Sequence, residues 1–550
     1  MSEKKNYFKI KINLFTPFFL IFKNIVNIQL FILLFFFFSC SDETIKEQVK
    51  EELITHNEEK LNVLFIIADD LNCDLGAYGN LVVKTPNIDR FAERGILFEN
   101  AHNQYPHCGP SRASFMTGMY TNQTKITKNN MNIRNSVPDV ITLGQRFRQQ
   151  GYQSVRIGKI FHYDNPAAIG TSGNDDIYSW DQTVNPYGRD KIEEYKINTL
   201  KTRKYGGTLS WLAADGKDDE QTDGIAASEA IKKLDDFSKR NNPFFLAVGF
   251  FRPHTPFVAP KKYFDIYDRE KIDIPEIPNG YYETLPEVAV RSITSRKEQL
   301  NLKKERAQEI KEAYYATISF VDAQVGRILD HLELLGLDEN TIVVFTSDHG
   351  YHMGEHGHWQ KQTLFENSTR VPLIISNPNL EQKGVKSMSP VELIDLYPTL
   401  MELTGISTPQ HVVGKSLTPI MKNVNTSVRG SALTRWRNGY SIKTKRYRLT
   451  KWKNRWGSDY ELYDHTKDKE ELINLANNLA YSEVMDSLKI VIKQRIAQAT
   501  IKPKGIGRQF GNAKTMYKVK NITFGDIHDT NGEILYEKKN NNKILNYDVN

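Results

Sequence analysis

The segment His107-Cys108-Gly109-Pro110-Ser111-Arg112 sets a cysteine two residues before a proline and four before an arginine. Proline suits the first turn of a helix, where a missing N–H costs nothing, so a helix is predicted to begin near residue 108. A side chain at that N-terminus meets free backbone N–H groups and the positive end of the helix dipole, which favour an anion. Arg112, one turn on, can hold residue 108 and the oxygens around it. Two acidic clusters, Asp69-Asp70 and Asp348-His349-Gly350, follow apolar runs. Hard oxygen ligands converging from two strand ends suit Ca²⁺ or Mg²⁺. Either pair alone also reads as solvated acids capping a strand.

Three further pieces carry titratable groups. Gly158-Lys159-Ile160-Phe161-His162 places a lysine and a histidine three apart, able to reach one site. Arg252-Pro253-His254-Thr255-Pro256 fixes a histidine in a Pro-flanked turn. Gly354-Glu355-His356-Gly357-His358-Trp359-Gln360-Lys361 follows the second acidic pair. Each alone reads as a surface lysine or a satisfied histidine, and His356 and His358 stay in that class.

The elements that must position these groups are legible as patterns. Residues 61–68 and 341–346 are continuous β-branched and aromatic runs, the mark of strands buried on both faces in a parallel sheet. Phe244–Val248 and Val371–Ile375 read as similar strands. Helical patterns lie between them at Asn87–Arg94, Val140–Gln150, Asp223–Phe237 and Lys303–Leu335. This alternation predicts an α/β sandwich around a mainly parallel sheet, with the site outside the carboxyl ends of the strands. Beyond about residue 425 short aromatic strands (Ser441–Arg448, Tyr460–Tyr463) and a helix over Tyr481–Thr500 predict a small antiparallel subdomain. Arg435, Trp436 and Arg437 of that subdomain could touch an anionic ligand, and a surface role reads equally well. The expected organisation is a signal peptide over 1–39, a tether over 40–60, a catalytic α/β domain over 61–425, the subdomain over 426–500, and an extension of no assigned role over 501–550.

The chain has 550 residues and a net charge of +7. Residues 1–40 hold five lysines and one acid, so the rest carries only +3, which gives no case for nucleic acid as partner. The lysines precede an apolar run, Leu30–Phe38, closed by Ser39-Cys40. The run is short for a membrane span, and its ending resembles a bacterial lipobox, which implies an exported protein lipid-anchored to the membrane through Cys40. The alternative is an uncleaved anchor helix. Cys40, Cys73 and Cys108 are the only cysteines, too few for a disulfide scaffold.

The unbroken run Cys108-Gly109-Pro110-Ser111-Arg112, with Thr117-Gly118 after it, resembles the signature of the type I, formylglycine-dependent sulfatases. Leu75–Gly79, Thr85–Asp89, Gly158–His162, Pro243–Gly249 and Gly439–Ile442 are similar to the iduronate-2-sulfatase-like subgroup, over roughly residues 61–475. The chain departs from that subgroup at Asn72-Cys73, where a basic residue is usual, and it carries His349 where many members of the wider family carry Asn.

The resemblance implies an alkaline-phosphatase-like fold, and Cys108 oxidised to formylglycine by a formylglycine-generating or sulfatase-maturating enzyme. One hydroxyl of its hydrate attacks sulfur and the other later expels the sulfate. The resemblance implies Ca²⁺ on Asp69, Asp70, Asp348 and His349, with residue 108 as a further ligand. It gives Lys159, His254 and Lys361 the sulfate oxygens, with His254 or Lys361 as acid, and His162 the proton of the formylglycine hydroxyl. The substrate would be a sulfated oligosaccharide or polysaccharide, a glycosaminoglycan or an algal polymer such as ulvan, including 2-O-sulfated uronate. Two rivals stay open: a phosphoesterase of the same superfamily, and a non-catalytic glycan-binding lipoprotein should Cys108 go unmodified.

Overall fold

The computed structural model describes residues 60–201, 204–455, 457–513 and 515, with the backbone of 527–528 and 534–536. The expected signal peptide, Cys40 and the 40–60 tether lie outside the described residues, apart from Lys60. Among those described, no helix is long and apolar enough to cross a membrane.

Strand β1 (Asn62–Ala68) is buried along its whole length. Val63, Phe65 and Ile67 face a core shared with helix α1 (Cys108–Thr117). Leu64, Ile66 and Ala68 face a second core built on α2 (Thr222–Phe237) and α3 (Lys304–Leu334). A side-chain period of two thus gives one strand two apolar faces, and helices must cover both.

The central sheet also contains β2 (Ile96–Phe98), β3 (Gln153–Gly158), β4 (Gln182–Val184), β5 (Phe244–Gly249), β6 (Thr341–Ser347), β7 (Leu373–Ser376) and β8 (Val385–Ser387). Its order is β8-β2-β7-β6-β1-β5-β3-β4. The five strands from β6 to β4 are parallel, as the buried runs predict. The run 371–375 is not one strand of this set. Pro372 has no N–H to donate and splits it. Arg370–Val371 pairs with Ala101–His102 in a separate small sheet, whereas β7 runs antiparallel to β6 and β2.

The C-terminal sheet is an antiparallel meander of β9 (Ala432–Trp436), β10 (Gly439–Lys443), β11 (Tyr447–Lys453) and β12 (Ser458–Asp464). The segment 441–448, read as one strand from sequence, spans the turn between β10 and β11. Thr444 closes that turn by donating its N–H to the Tyr447 carbonyl at 2.8 Å. Leu433, Ile442, Leu449 and Leu462 pack against Met485, Leu488 and Ile492 of a long helix (Ser482–Thr500). Beyond it, Arg508 pairs with Asp139 at 2.7 Å and the Phe510 N–H donates to the Ser136 carbonyl, so this part of the extension lies on the large sheet's unit.

A buried ionic network docks the meander. Glu392 accepts from Tyr120 Oη and the Leu433 N–H, both at 2.6 Å, and from Arg495 at 2.5 Å. Arg429 bridges Glu392 and Asp395, just before the helix Leu396–Leu403. Burial raises the Glu392 carboxyl, but Arg429 and Arg495 outweigh it and the net shift is downward. Removing one partner strands buried charge, so Arg429→Met should cost about 3–5 kcal/mol in urea unfolding. Lys261→Met, which breaks an exposed pair with Asp265, should cost less than about 1 kcal/mol.

Candidate active site

The register of β1 against β6 pairs Ala68 with Ser347, so Asp69-Asp70 and Asp348-His349 leave the sheet side by side. The Asp70 N–H donates to Asp348 Oδ1 at 3.2 Å, and Tyr314 Oη donates to the Asp70 carbonyl at 2.8 Å. Asp70 sits at φ 64, a left-handed conformation that turns its carboxylate back over the strand ends.

Helix α1 begins at Cys108, and its whole length is buried. Ser111 Oγ donates to the Asp348 carbonyl at 2.5 Å. Arg112 Nε reaches Asp348 Oδ2 and Nη2 reaches Asp69 Oδ1, both at 2.9 Å. Its Nη1 donates to the carbonyls of Lys159 (2.6 Å) and Ile160 (3.0 Å). One guanidinium therefore ties α1 to the ends of β1, β6 and β3.

Cys108 Sγ lies 3.3 Å from His349 Nε2, 3.4 Å from Lys361 Nζ and 3.8 Å from Asp70 Oδ1. Lys361 Nζ bonds both Asp70 oxygens, at 2.5 and 2.6 Å, and Lys159 Nζ bonds Asp69 Oδ2 at 2.5 Å. His254 Nε2 is 3.7 Å from Asp70 Oδ2. His162 Nε2 meets Asp164 Oδ1 at 3.0 Å, and its ring feels the charges of Lys159 and Asp69. All ten residues singled out from the sequence are buried here in one neighbourhood.

The electrostatics follow from burial and pairing. Burial raises the Asp69 carboxyl, yet Lys159 and Arg112 overcome it and hold it well below the usual carboxylate range. Burial also pushes the Cys108 thiol well up, against the opposing charge of Lys361. A reactive thiolate needs a lowered pKa, so cysteine itself is a poor nucleophile here. Burial is likewise the main reason that His254 and His162 are shifted down and stay neutral.

The donors fit a hard dication. Asp69, Asp70, Cys108 and His254 offer ligand atoms within 4.8 Å of one another, as do Cys108, Asp348 and His349. His349 Nδ1 lies 2.9 Å from the Gly350 carbonyl, so its lone pair at Nε2 faces the cluster. Three carboxylates (Asp69, Asp70, Asp348) are matched by three cations (Arg112, Lys159, Lys361). An added dication would then be balanced by the single charge of a sulfate ester and an ionised oxygen nucleophile, once the lysines turn from the carboxylates to the ester.

Several working residues escaped the sequence reading. Asp164 orients His162 and lies only two residues from it, a spacing that was there to find. Tyr314 lies inside a 31-residue helix with no local signal. Asp223 accepts the N–H groups of Phe251 (2.9 Å) and Arg252 (2.8 Å), which sets the turn that carries His254. His358, read from the sequence as a satisfied histidine, is one: it lies between the carbonyls of Ile293 and Lys361, at 3.0 and 2.9 Å, and so steadies the lysine loop.

Residues 61–406 match the family model for sulfatases, and residues 354–498 match the C-terminal part of N-sulphoglucosamine sulphohydrolase. A sulfatase of Formosa agariphila is 35% identical over 463 residues, covering 81% of this chain and 88% of that one. Human iduronate 2-sulfatase is 35% identical over 396 residues, covering 64% of this chain and 70% of that one. Among solved structures, the phosphonate monoester hydrolase of Agrobacterium radiobacter superposes with a TM-score of 0.67 at 22% identity, covering 80% of this chain and 96% of that one.

The lysine loop predicts a pH effect. His356, stacked on Phe365 and bonded to Tyr281, is pushed by burial down to about 4. The unfolded chain takes up that proton near pH 6.5 and the folded chain does not, so the contribution of His356 is complete above 6.5 and fades towards 4. The stability of the wild type minus that of His356→Gln should therefore fall by about 3 kcal/mol from pH 7 to pH 4 in urea unfolding.

Proposed function

The chain belongs to the sulfatase family, and from that premise we propose that it hydrolyses sulfate esters on a carbohydrate, with residue 108 matured to formylglycine and Ca²⁺ at the acidic cluster. The observation that carries this reading is Cys108 at a helix N-terminus, within 3.3–3.8 Å of His349, Lys361 and Asp70, with its own thiol disfavoured as a thiolate. When present, the two groups supply a hydrated-aldehyde oxygen nucleophile and a cation that polarises the sulfate. The oxygen ligands Asp69, Asp70 and Asp348, with His349 Nε2, would hold the cation.

The chain's own residues do the rest. Arg112 keeps Asp69 ionised and holds the carboxylates of Asp69 and Asp348 in place. Lys159 and Lys361 bring charge to the sulfate oxygens, where negative charge builds as the S–O bond breaks. His254, protonated at Nε2 once the anionic ester stands beside it, delivers that proton to the departing sugar oxygen. His162, backed by Asp164, takes the proton from the hydroxyl of residue 108. The name of iduronate 2-sulfatase supports a sulfated uronate as substrate, in a glycosaminoglycan or an algal polymer. The same reading requires a maturating enzyme as partner. An exported location with a lipid on Cys40 belongs to the proposal as well.

Peptide mass analysis tests the first step. Residue 108 should be lighter than cysteine by the exchange of CH₂–SH for CHO, and Cys108→Ala should melt normally while losing turnover by orders of magnitude. An unmodified cysteine in active protein would overturn the mechanism.

The leaving group tests the acid. His254→Ala should lose roughly 10²–10⁴-fold on a sugar sulfate, whose alkoxide must be protonated as it leaves. On an aryl sulfate, whose phenolate leaves unaided, the loss should be much smaller. Equal losses on both would assign the acid role to Lys361 instead.

A further inference from the structure

A cleft of about 750 Å³ opens between the short helix Glu287–Thr294 and the ends of β9 and β11. It adjoins the buried centre through two residues. Gln362 lines it and directly follows Lys361. Trp436 lines it too and meets His107 edge-on, with ring centroids 6.0 Å apart, one residue before Cys108. The charge of Arg296, next to the lining Ser295, acts on His107 and Tyr351, both beside the centre.

The lining holds four cations (Arg291, Arg437, Lys453, Arg455) against two acids (Glu287, Asp459). Arg291 spends little on Glu287, since that pair is 3.4 Å long and exposed. The Arg437 guanidinium lies 5.3 Å over the Trp436 ring, and among the described residues neither Arg437 nor Lys453 makes an ion pair. Arg435 takes no part. It stands on the opposite side of β9, where it bonds Asn122 at 3.0 Å and stacks on Tyr440.

The backbone supplies an independent observation. Gln362 (φ 75) and Arg437 (φ 51) both adopt the left-handed conformation that glycine takes at no cost. Such strain persists in long side chains where the surroundings over-determine it, and it gathers at ligand sites. Here both strained residues turn into the same cleft. Trp452 forms a fixed floor below them, with its Nε1–H bonded to Glu461 at 2.5 Å.

We propose that this cleft is a second anion subsite, which takes the sulfate or carboxylate of the sugar next to the one being desulfated. This rests on the reading that the centre acts on sulfated sugars, and it deepens that reading to an oligosaccharide with charge on adjacent rings. Arg437 and Lys453 supply the counter-charge, over a rigid base formed by the buried Trp436 and Trp452.

The test compares two heparin-derived disaccharides, one sulfated on both rings and one only on the uronate. Wild type should prefer the doubly sulfated one by roughly 10–100-fold in kcat/KM, the range of a charged hydrogen bond. In Arg437→Gln/Lys453→Gln that preference should fall close to one. Lys453→Gln alone, at an exposed position, should lower it part of the way and keeps the test open if the double variant fails to fold. A preference absent from wild type, or retained in the double variant, overturns the subsite. No sulfate release from either disaccharide would instead sink the carbohydrate reading. In that event calorimetry on Cys108→Ala protein still decides the cleft: tighter binding of the doubly sulfated disaccharide, lost with both cations, upholds it, and equal binding refutes it.

Discussion

Arg112 carries no solvent-exposed surface, and its guanidinium is shared among two carboxylates and two backbone carbonyls. Three parallel strands, β1, β6 and β3, end at this one group. A buried guanidinium is tolerable only when its N–H donors are met, and a buried carboxylate only when its charge is. Each side therefore makes the other possible. The consequence is geometric: Asp69 and Asp348 cannot drift apart, and α1 cannot slide along the sheet without breaking a charged contact. The position of residue 108 is inherited from that lock.

The same burial sorts the remaining groups. Desolvation penalises every charge in the pocket, so a group stays ionised only where an opposite charge touches it. Asp69 passes that test with Lys159 and Arg112, and is shifted down. Asp70 touches Lys361 but also feels Asp69 and Asp348, and burial leaves it shifted up. His254 and His162 lack a strong enough partner and remain neutral. The site is thus a set of ions held in balance, and an incoming anion changes that balance for all of them at once.

Much of this was legible in the sequence because it is local. Two buried runs ending in acids predict parallel strands with carboxylates at their tips, and Pro110 predicts where α1 starts. Lys159, His162, His254 and Lys361 were found by short motifs, and each sits at or just beyond a strand end or in the loop that follows. What stayed hidden is long-range or backbone-made. The tie from Tyr314 to Asp70 spans 244 residues. The aim of Asp70 depends on a left-handed φ at a residue type that does not demand it. The break between Arg370–Val371 and β7 falls at Pro372, which a hydropathy pattern passes over. The partners that set histidine direction are also invisible, since a carbonyl acceptor leaves no trace in residue type.

Those partners separate the histidines chemically. His254 and His349 each place Nδ1 against a backbone carbonyl, that of Thr255 at 2.6 Å and of Gly350 at 2.9 Å. A carbonyl accepts from N–H, so in the neutral ring Nε2 carries the lone pair, and in both residues that atom points at the acidic cluster. His162 is built differently. Its Nε2 faces the carboxylate of Asp164, and its buried Nδ1 has no hydrogen-bond partner among the described residues. A carboxylate stabilises the imidazolium that forms when a ring accepts a proton, whereas a carbonyl does so less. His162 is therefore the ring suited to accept a proton and keep it. His254, backed only by a carbonyl and desolvated, holds a proton weakly once it has one, which suits a donor. In the proposed hydrolysis the two proton tasks would fall to different residues because their neighbours differ, although the side chains are the same.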